Sequence, residues 1–249
     1  MRAPLILAAA CLLAAGHAAA GAWTRAPGEG FVAQSVRFFS TEFTGKGDEP
    51  FRRASSDTYV EYGLREGLTI GGQLTFGQRG DGRQEGFARG FLRARLWRGE
   101  LGVVSVEAGA GYPVLDAATP LDITKDQTAD ARLGVNYGRG WSASFGSGWF
   151  DAALYGRYRS QSPADELRLD LTAGYKPDDD WVFLAQSFTT MGLRNEGFTG
   201  ADFDVTKLSL SVGYKILGGR TMLFSLTQDL LGRNISLGTE AAVTIWTEF

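Results

Sequence analysis

Alternation with a period of two runs through almost the whole chain and constrains the fold more than any other feature. Residues 208–219 read LSLSVGYKILGG. Leu208, Leu210, Val212, Tyr214 and Ile216 fall on one row, and Lys207, Ser209, Ser211, Gly213 and Lys215 on the other. A near-copy, LRLDLTAGYKPDDD, occupies 167–180. Helical periodicity is absent, so the chain reads as all-β. Twelve candidate strands lie near 30–43, 54–64, 67–79, 86–97, 100–113, 128–140, 148–159, 166–176, 181–191, 203–216, 221–230 and 237–249. The strand count expected is about 12, within a range of roughly 10–14.

The connections between these segments alternate in length. Long ones fall at 44–53, 114–127 and 192–202, and middling ones at 80–85, 160–165 and 231–236. Tight turns lie between them at 65–67, 98–100, 177–180 and 217–220, with a blurred one at 141–147. Short turns on one side and longer loops on the other are the pattern of an antiparallel up-and-down outer-membrane barrel. Closure is required in lipid, because an open sheet edge leaves backbone groups unsatisfied.

The first 22 residues, MRAPLILAAACLLAAGHAAAGA, are expected to be a secretory signal peptide, cleaved after Ala20 or Ala22. Residues 23–249 then form a single barrel domain. Arg2, Cys11 and His17 fall within the leader, so the rest of the chain holds neither cysteine nor histidine. It keeps 24 of the 25 basic residues against 28 acidic ones. No disulfide, metal site or cofactor is expected, and the acidic balance argues against a nucleic-acid partner. Known outer-membrane barrel enzymes resemble one another in using a histidine, so an enzyme is not expected here either.

Cost sets which row faces which way. An arginine facing lipid at the midplane costs about 2–4 kcal/mol. In strand 167–175 the row Leu167, Leu169, Leu171, Ala173, Tyr175 therefore faces lipid, and Arg168 and Asp170 face the lumen. The same choice places Glu61, Arg89, Arg93, Arg95, Glu107, Arg132, Asp151, Arg157, Lys207 and Asp229 inside. Within FARGFLRARLW, strict alternation adds Phe91 and Trp97 to the arginine face. Two readings of this ladder compete: an ion-paired network filling the lumen, and a basic strip guiding anionic or aromatic solutes. Gly109 and Gly111 on the same face leave room for neighbouring side chains. Asp178, Asp179 and Asp180 read as a solvated turn.

Aromatic residues mark the strand ends. Tyr62, Tyr137, Tyr175 and Tyr214 each precede a short turn, where a ring with a polar tip suits a lipid–water boundary. Trp97 also sits at a strand end and is a second kind of candidate there. Tyr112 and Tyr158 lie at the far ends and are candidates for an outer girdle. The chain ends AAVTIWTEF, with Phe249 last on the row Ala241, Val243, Ile245, Thr247. This resembles the terminal strand by which the barrel assembly machinery recognises its clients. Expected partners are outer-membrane lipid, that machinery, and small hydrophobic or aromatic solutes. Only about ten residues of the mature chain precede the first strand, so no plug is expected, though a long loop such as 114–127 could fold inward. The alternatives are an envelope barrel with partner-binding outer loops, and a soluble secreted lipocalin-like barrel.

The segments GAWTRAPGEGFV and YVEYGLREGLTIGGQLTFG resemble outer-membrane proteins grouped with the phenol-degradation pathway, over roughly residues 21–76. The resemblance rests on Trp23, Tyr62, Gly63, Leu68, Gly71 and Gly72, all architectural. It implies admission of hydrophobic aromatic compounds.

Overall fold

The computed structural model describes residues 21–41, 51–115, 128–160, 164–195 and 202–249. Twelve antiparallel strands close into one barrel, each paired with its neighbours in the chain, and β12 paired with β1. They are β1 (Gly30–Thr41), β2 (Arg52–Arg65), β3 (Leu68–Arg79), β4 (Gln84–Gly99), β5 (Gly102–Leu115), β6 (Asp130–Ala143), β7 (Gly146–Arg159), β8 (Glu166–Lys176), β9 (Trp181–Gly192), β10 (Asp204–Lys215), β11 (Thr221–Arg233) and β12 (Gly238–Glu248). The blurred turn is a two-residue hairpin connection at Ser144 and Phe145, with Ala143 opposite Gly146. The strand ends that lead into the longer connections all lie at one end, and residues 66–67, 100–101, 144–145, 177–180 and 216–220 close the other.

The two faces sort as the cost of charge in lipid requires. Val36, Leu92, Leu133, Leu154, Leu210 and Phe224 project outward and are exposed, while Glu61, Arg93, Glu107 and Asp130 are buried inside. A soluble barrel would need the reverse. Leu210 sits near the middle of β10, opposite Ala185 and Leu226. Leu210→Arg is expected to destabilise the barrel by about 2–4 kcal/mol. Urea unfolding in lipid vesicles checks this, and a loss well under 1 kcal/mol would contradict the outward placement of this row.

Strict alternation fails once on β4. Arg95 pairs with Ser105 but Trp97 pairs with Val104, so one extra residue, Leu96, is inserted. The bulge reverses parity, and Trp97 points outward rather than joining the arginine face. At the same end Tyr62 and Tyr214 are exposed, and the Tyr137 and Tyr175 hydroxyls donate to the Leu101 and Phe145 carbonyls. Tyr112 and Tyr158 are exposed near the opposite end. Two tryptophans that the tyrosine pattern passed over belong to the same outward band. Trp141 stacks on Tyr175 at 5.9 Å, and Trp181 packs on Tyr214 at 4.8 Å. Their sequence signal was a tryptophan beside a short turn. Phe249 exchanges backbone hydrogen bonds with Gly30 at the seam, its ring against that glycine.

The expectation of an unplugged barrel is overturned by residues 21–29. Ala26-Pro27-Gly28-Glu29 makes a turn closed by the Glu29 N–H on the Ala26 carbonyl, with Gly28 at φ +84°. Proline at the second position and a left-handed glycine at the third are the needs of a type II turn. The turn folds the chain back from β1, so residues 21–25 enter the lumen at the short-turn end. Nine residues are too short for a domain but long enough, at about 3.3 Å each, to cross a barrel of this size.

Candidate functional site

Among the described residues, most of the buried charged side chains gather in the lumen. Register sets its layers. Glu61 lies opposite Gly71, Gly71 opposite Phe91, Phe91 opposite Gly109, and Gly109 opposite Arg132. A Cβ on Gly71 would collide with the Phe91 ring, so this glycine is the hollow in which the ring lies, and one on Gly109 would strike the Gly90 carbonyl. Tyr59 stacks on the ring at 5.8 Å, and the Arg93 and Arg132 guanidiniums sit over it at 5.2 and 5.6 Å.

Arg93 is 2% exposed and holds the centre. Its Nη1 donates to Glu61 Oε1 at 2.6 Å and its Nη2 to Glu107 Oε2 at 2.7 Å. Glu107 Oε1 accepts from Arg132 Nη2 at 2.6 Å. Arg25, on the inserted segment, reaches Glu61 Oε2 at 2.7 Å. A second chain of alternating charge runs nearby. Asp130 Oδ2 meets Arg89 at 3.0 Å and Arg157 at 2.7 Å, and Glu166 meets Arg157 at 3.0 Å and Arg159 at 3.2 Å. Arg168 pairs with Asp170 at 2.7 Å and Lys207 with Asp229 at 3.2 Å. Each of these cations has a carboxylate, as buried charges must.

The inserted segment crosses this floor from β2 to β7. The Arg25 N–H donates to Thr69 Oγ1 at 2.8 Å. Arg93 Nη1 also donates to the Trp23 carbonyl at 3.3 Å. A Cβ on Gly138 would strike the Trp23 ring and Ala22, and one on Gly63 would strike the Ala26 carbonyl. At its far end the Ala22 N–H donates to Asp151 Oδ2 at 2.7 Å.

Beyond the segment a cavity of about 620 Å³ remains. It persists because the wall opposite the arginines is made of short side chains. Ser209 bonds Thr227 at 2.8 Å, Ser211 bonds Ser225 at 2.7 Å, and Ser35 bonds Thr244 at 2.8 Å. Aromatic rings punctuate the cavity wall: Phe31, Phe39, Phe188, Trp149 and Trp246. Among the described residues, the wall carries seven cationic side chains and seven carboxylates.

Sequence reasoning placed most of these groups on the inward face, but not all reach the cavity. Arg89, Arg93, Glu107, Arg132, Asp151, Arg157, Arg168, Asp170, Lys207 and Asp229 line it. Glu61 and Phe91 point inward but are covered, at 1% and 4% exposed. Arg95 lies at the short-turn mouth, where its Nη2 donates to Glu66 at 2.7 Å. Among the groups missed were Arg25, Asp130 and Glu166, which sit in the short segment before β1 and at strand starts, where alternation has no run to read, and Arg37, Asp57 and Glu240 within strands.

Comparison with solved structures places this architecture. The COG4313 outer membrane channel from Pseudomonas putida F1 superposes with a TM-score of 0.65 and 11% identity, covering 92% of this chain and 98% of that one. The fold is that of an outer-membrane β-barrel. The NanC porin matches with a TM-score of 0.57 and 10% identity, covering 85% of this chain and 98% of that one. The KdgM porin matches with a TM-score of 0.55 and 8% identity, over 86% and 99%. No family model matches the chain, and no curated protein matches it.

Proposed function

We propose that this barrel spans the bacterial outer membrane and passes small solutes, hydrophobic or aromatic ones foremost, without catalysis. The observation that carries the reading is the hollow lumen behind an apolar exterior. Three similar solved structures are an outer membrane channel and two porins, which supports passage as the task of this fold. The aromatic rings on the cavity wall offer apolar faces to a planar solute. Equal numbers of cations and carboxylates on the wall, with the arginines paired, leave little net field to select by charge. The ion-paired reading of the arginine ladder is therefore the one we adopt. The outward tyrosines and tryptophans at the strand ends serve as interface girdles, and Phe249 serves in recognition by the assembly machinery.

Planar-bilayer conductance of the refolded protein tests this. Small, stable steps with a cation-to-anion permeability ratio near unity are expected. Liposome assays should show an uncharged aromatic entering faster than a sugar of equal size. Silence from protein shown to have inserted, together with no aromatic flux, would sink the transport reading.

A further inference from the structure

Asp151 is 5% exposed, yet no arginine or lysine among the described residues forms an ion pair with it. The other buried lumen carboxylates are provided for. Glu61, Glu107, Asp130, Glu166 and Asp229 each meet a cation at 3.2 Å or less. Asp57 takes side-chain hydrogen bonds from Gln73 and Thr75. Asp151 receives one neutral backbone N–H, from Ala22. A buried carboxylate so placed lacks the charge that would offset its desolvation.

Gly21 lies directly against this carboxylate. A side chain on residue 21 would overlap both oxygens of Asp151, and the residue sits at φ +123°, a left-handed value that favours glycine. Its nitrogen is one bond from the Cα that faces the carboxylate. In an uncut chain that nitrogen is a neutral amide. Ala18-x-Ala20 immediately before it suits a signal peptidase.

We propose that the leader is cleaved after Ala20 and that the α-ammonium created on Gly21 is the counter-ion of Asp151, pinning residues 21–25 across the lumen. Water hydrolyses the Ala20–Gly21 amide, leaving a carboxylate on Ala20 and on Gly21 an amine that takes up a proton beside Asp151. Processing thus supplies the one charge that the sequence does not encode. The pin fixes the far end of a segment whose near end is held by Arg25 on Glu61. Cleavage after Ala22 would instead remove both the Ala22 N–H and the ammonium from Asp151. This inference rests on the leader reading of the first twenty residues and is independent of what the barrel transports.

The test uses the full-length precursor, expressed with its leader and purified from bacterial outer membranes. Intact mass and amino-terminal sequencing should begin at Gly21, and a chain beginning at Trp23 overturns the proposal. The folded barrel is then treated with a small acylating reagent, and modification of the amino-terminal peptide is followed by mass spectrometry. The Gly21 amine should react several-fold more slowly than it does in urea-unfolded protein. Asp151→Asn should abolish that protection. Should Asp151→Asn not fold, one extra glycine ahead of Gly21 moves the ammonium by about 3.5 Å and should abolish it as well. Equal amine reactivity in the native protein and the variant that folds overturns the pairing.

Discussion

Deleting residues 21–28 is expected to raise single-channel conductance several-fold. The segment crosses the short-turn end of the lumen, where the Trp23 ring rests on Gly138 and Ala22 is fully buried. Flow through a narrow passage follows its tightest cross-section, and the barrel wall behind the segment is already complete without it. The deletion also removes Arg25 from Glu61 and the Ala22 N–H from Asp151, so a lower melting temperature should accompany the larger conductance. Planar-bilayer recordings on the deletion variant decide the matter. Unchanged step size in a folded, inserted barrel would mean that the constriction lies elsewhere, among the paired side chains of the second charge chain.

Arg93→Met is expected to destabilise the barrel by about 3–5 kcal/mol, the range for removing one partner from a buried ionic network. Arg93 bonds Glu61 and Glu107 together, and both carboxylates are 1% exposed. Arg25 and Arg132 would still hold one oxygen of each, which places the loss at the lower end of that range. Arg93→Lys keeps the charge but not the planar fork that reaches two acceptors at once, so an intermediate loss is expected. Combining Arg93→Met with Glu61→Gln and Glu107→Gln should lower stability further, because Arg25 and Arg132 then lose Glu61 and Glu107. Urea unfolding in lipid vesicles measures all three. A triple variant as unstable as Arg93→Met alone would show that packing around Phe91, and not charge, holds this layer. Ion selectivity should barely change in Arg93→Lys, which keeps the charge.

Most of the barrel was legible because its rule is local. A strand sends successive side chains to opposite faces whatever surrounds it. Rows such as Leu208, Leu210, Val212 therefore declare a face, and Arg168 with Asp170 declare which side lipid cannot occupy. The twelve strands, the closed antiparallel order and the sorting of loop lengths all follow from that rule and from the need to satisfy every backbone group. The Tyr-Gly of β6 and the Gly-Tyr endings of β8 and β10 were legible for the same reason, each being a pattern confined to one strand.

What alternation could not carry was anything set by register between strands or by chain returning from outside the sheet. The extra residue at Leu96 is invisible in β4 alone and appears only where Arg95 and Trp97 meet β5. The pairing of Arg93 with Glu61 reaches diagonally across β3, and its geometry depends on how Gly71 makes room for the Phe91 ring. Residues 21–29 contain the Pro27-Gly28 turn in plain sight, yet the turn does not say what it turns into. Period-two patterning fixed the wall of this protein because the pleat acts residue by residue. The width of its lumen was decided by tertiary structure, because a floor of nine residues is held only by partners that stagger and closure bring together.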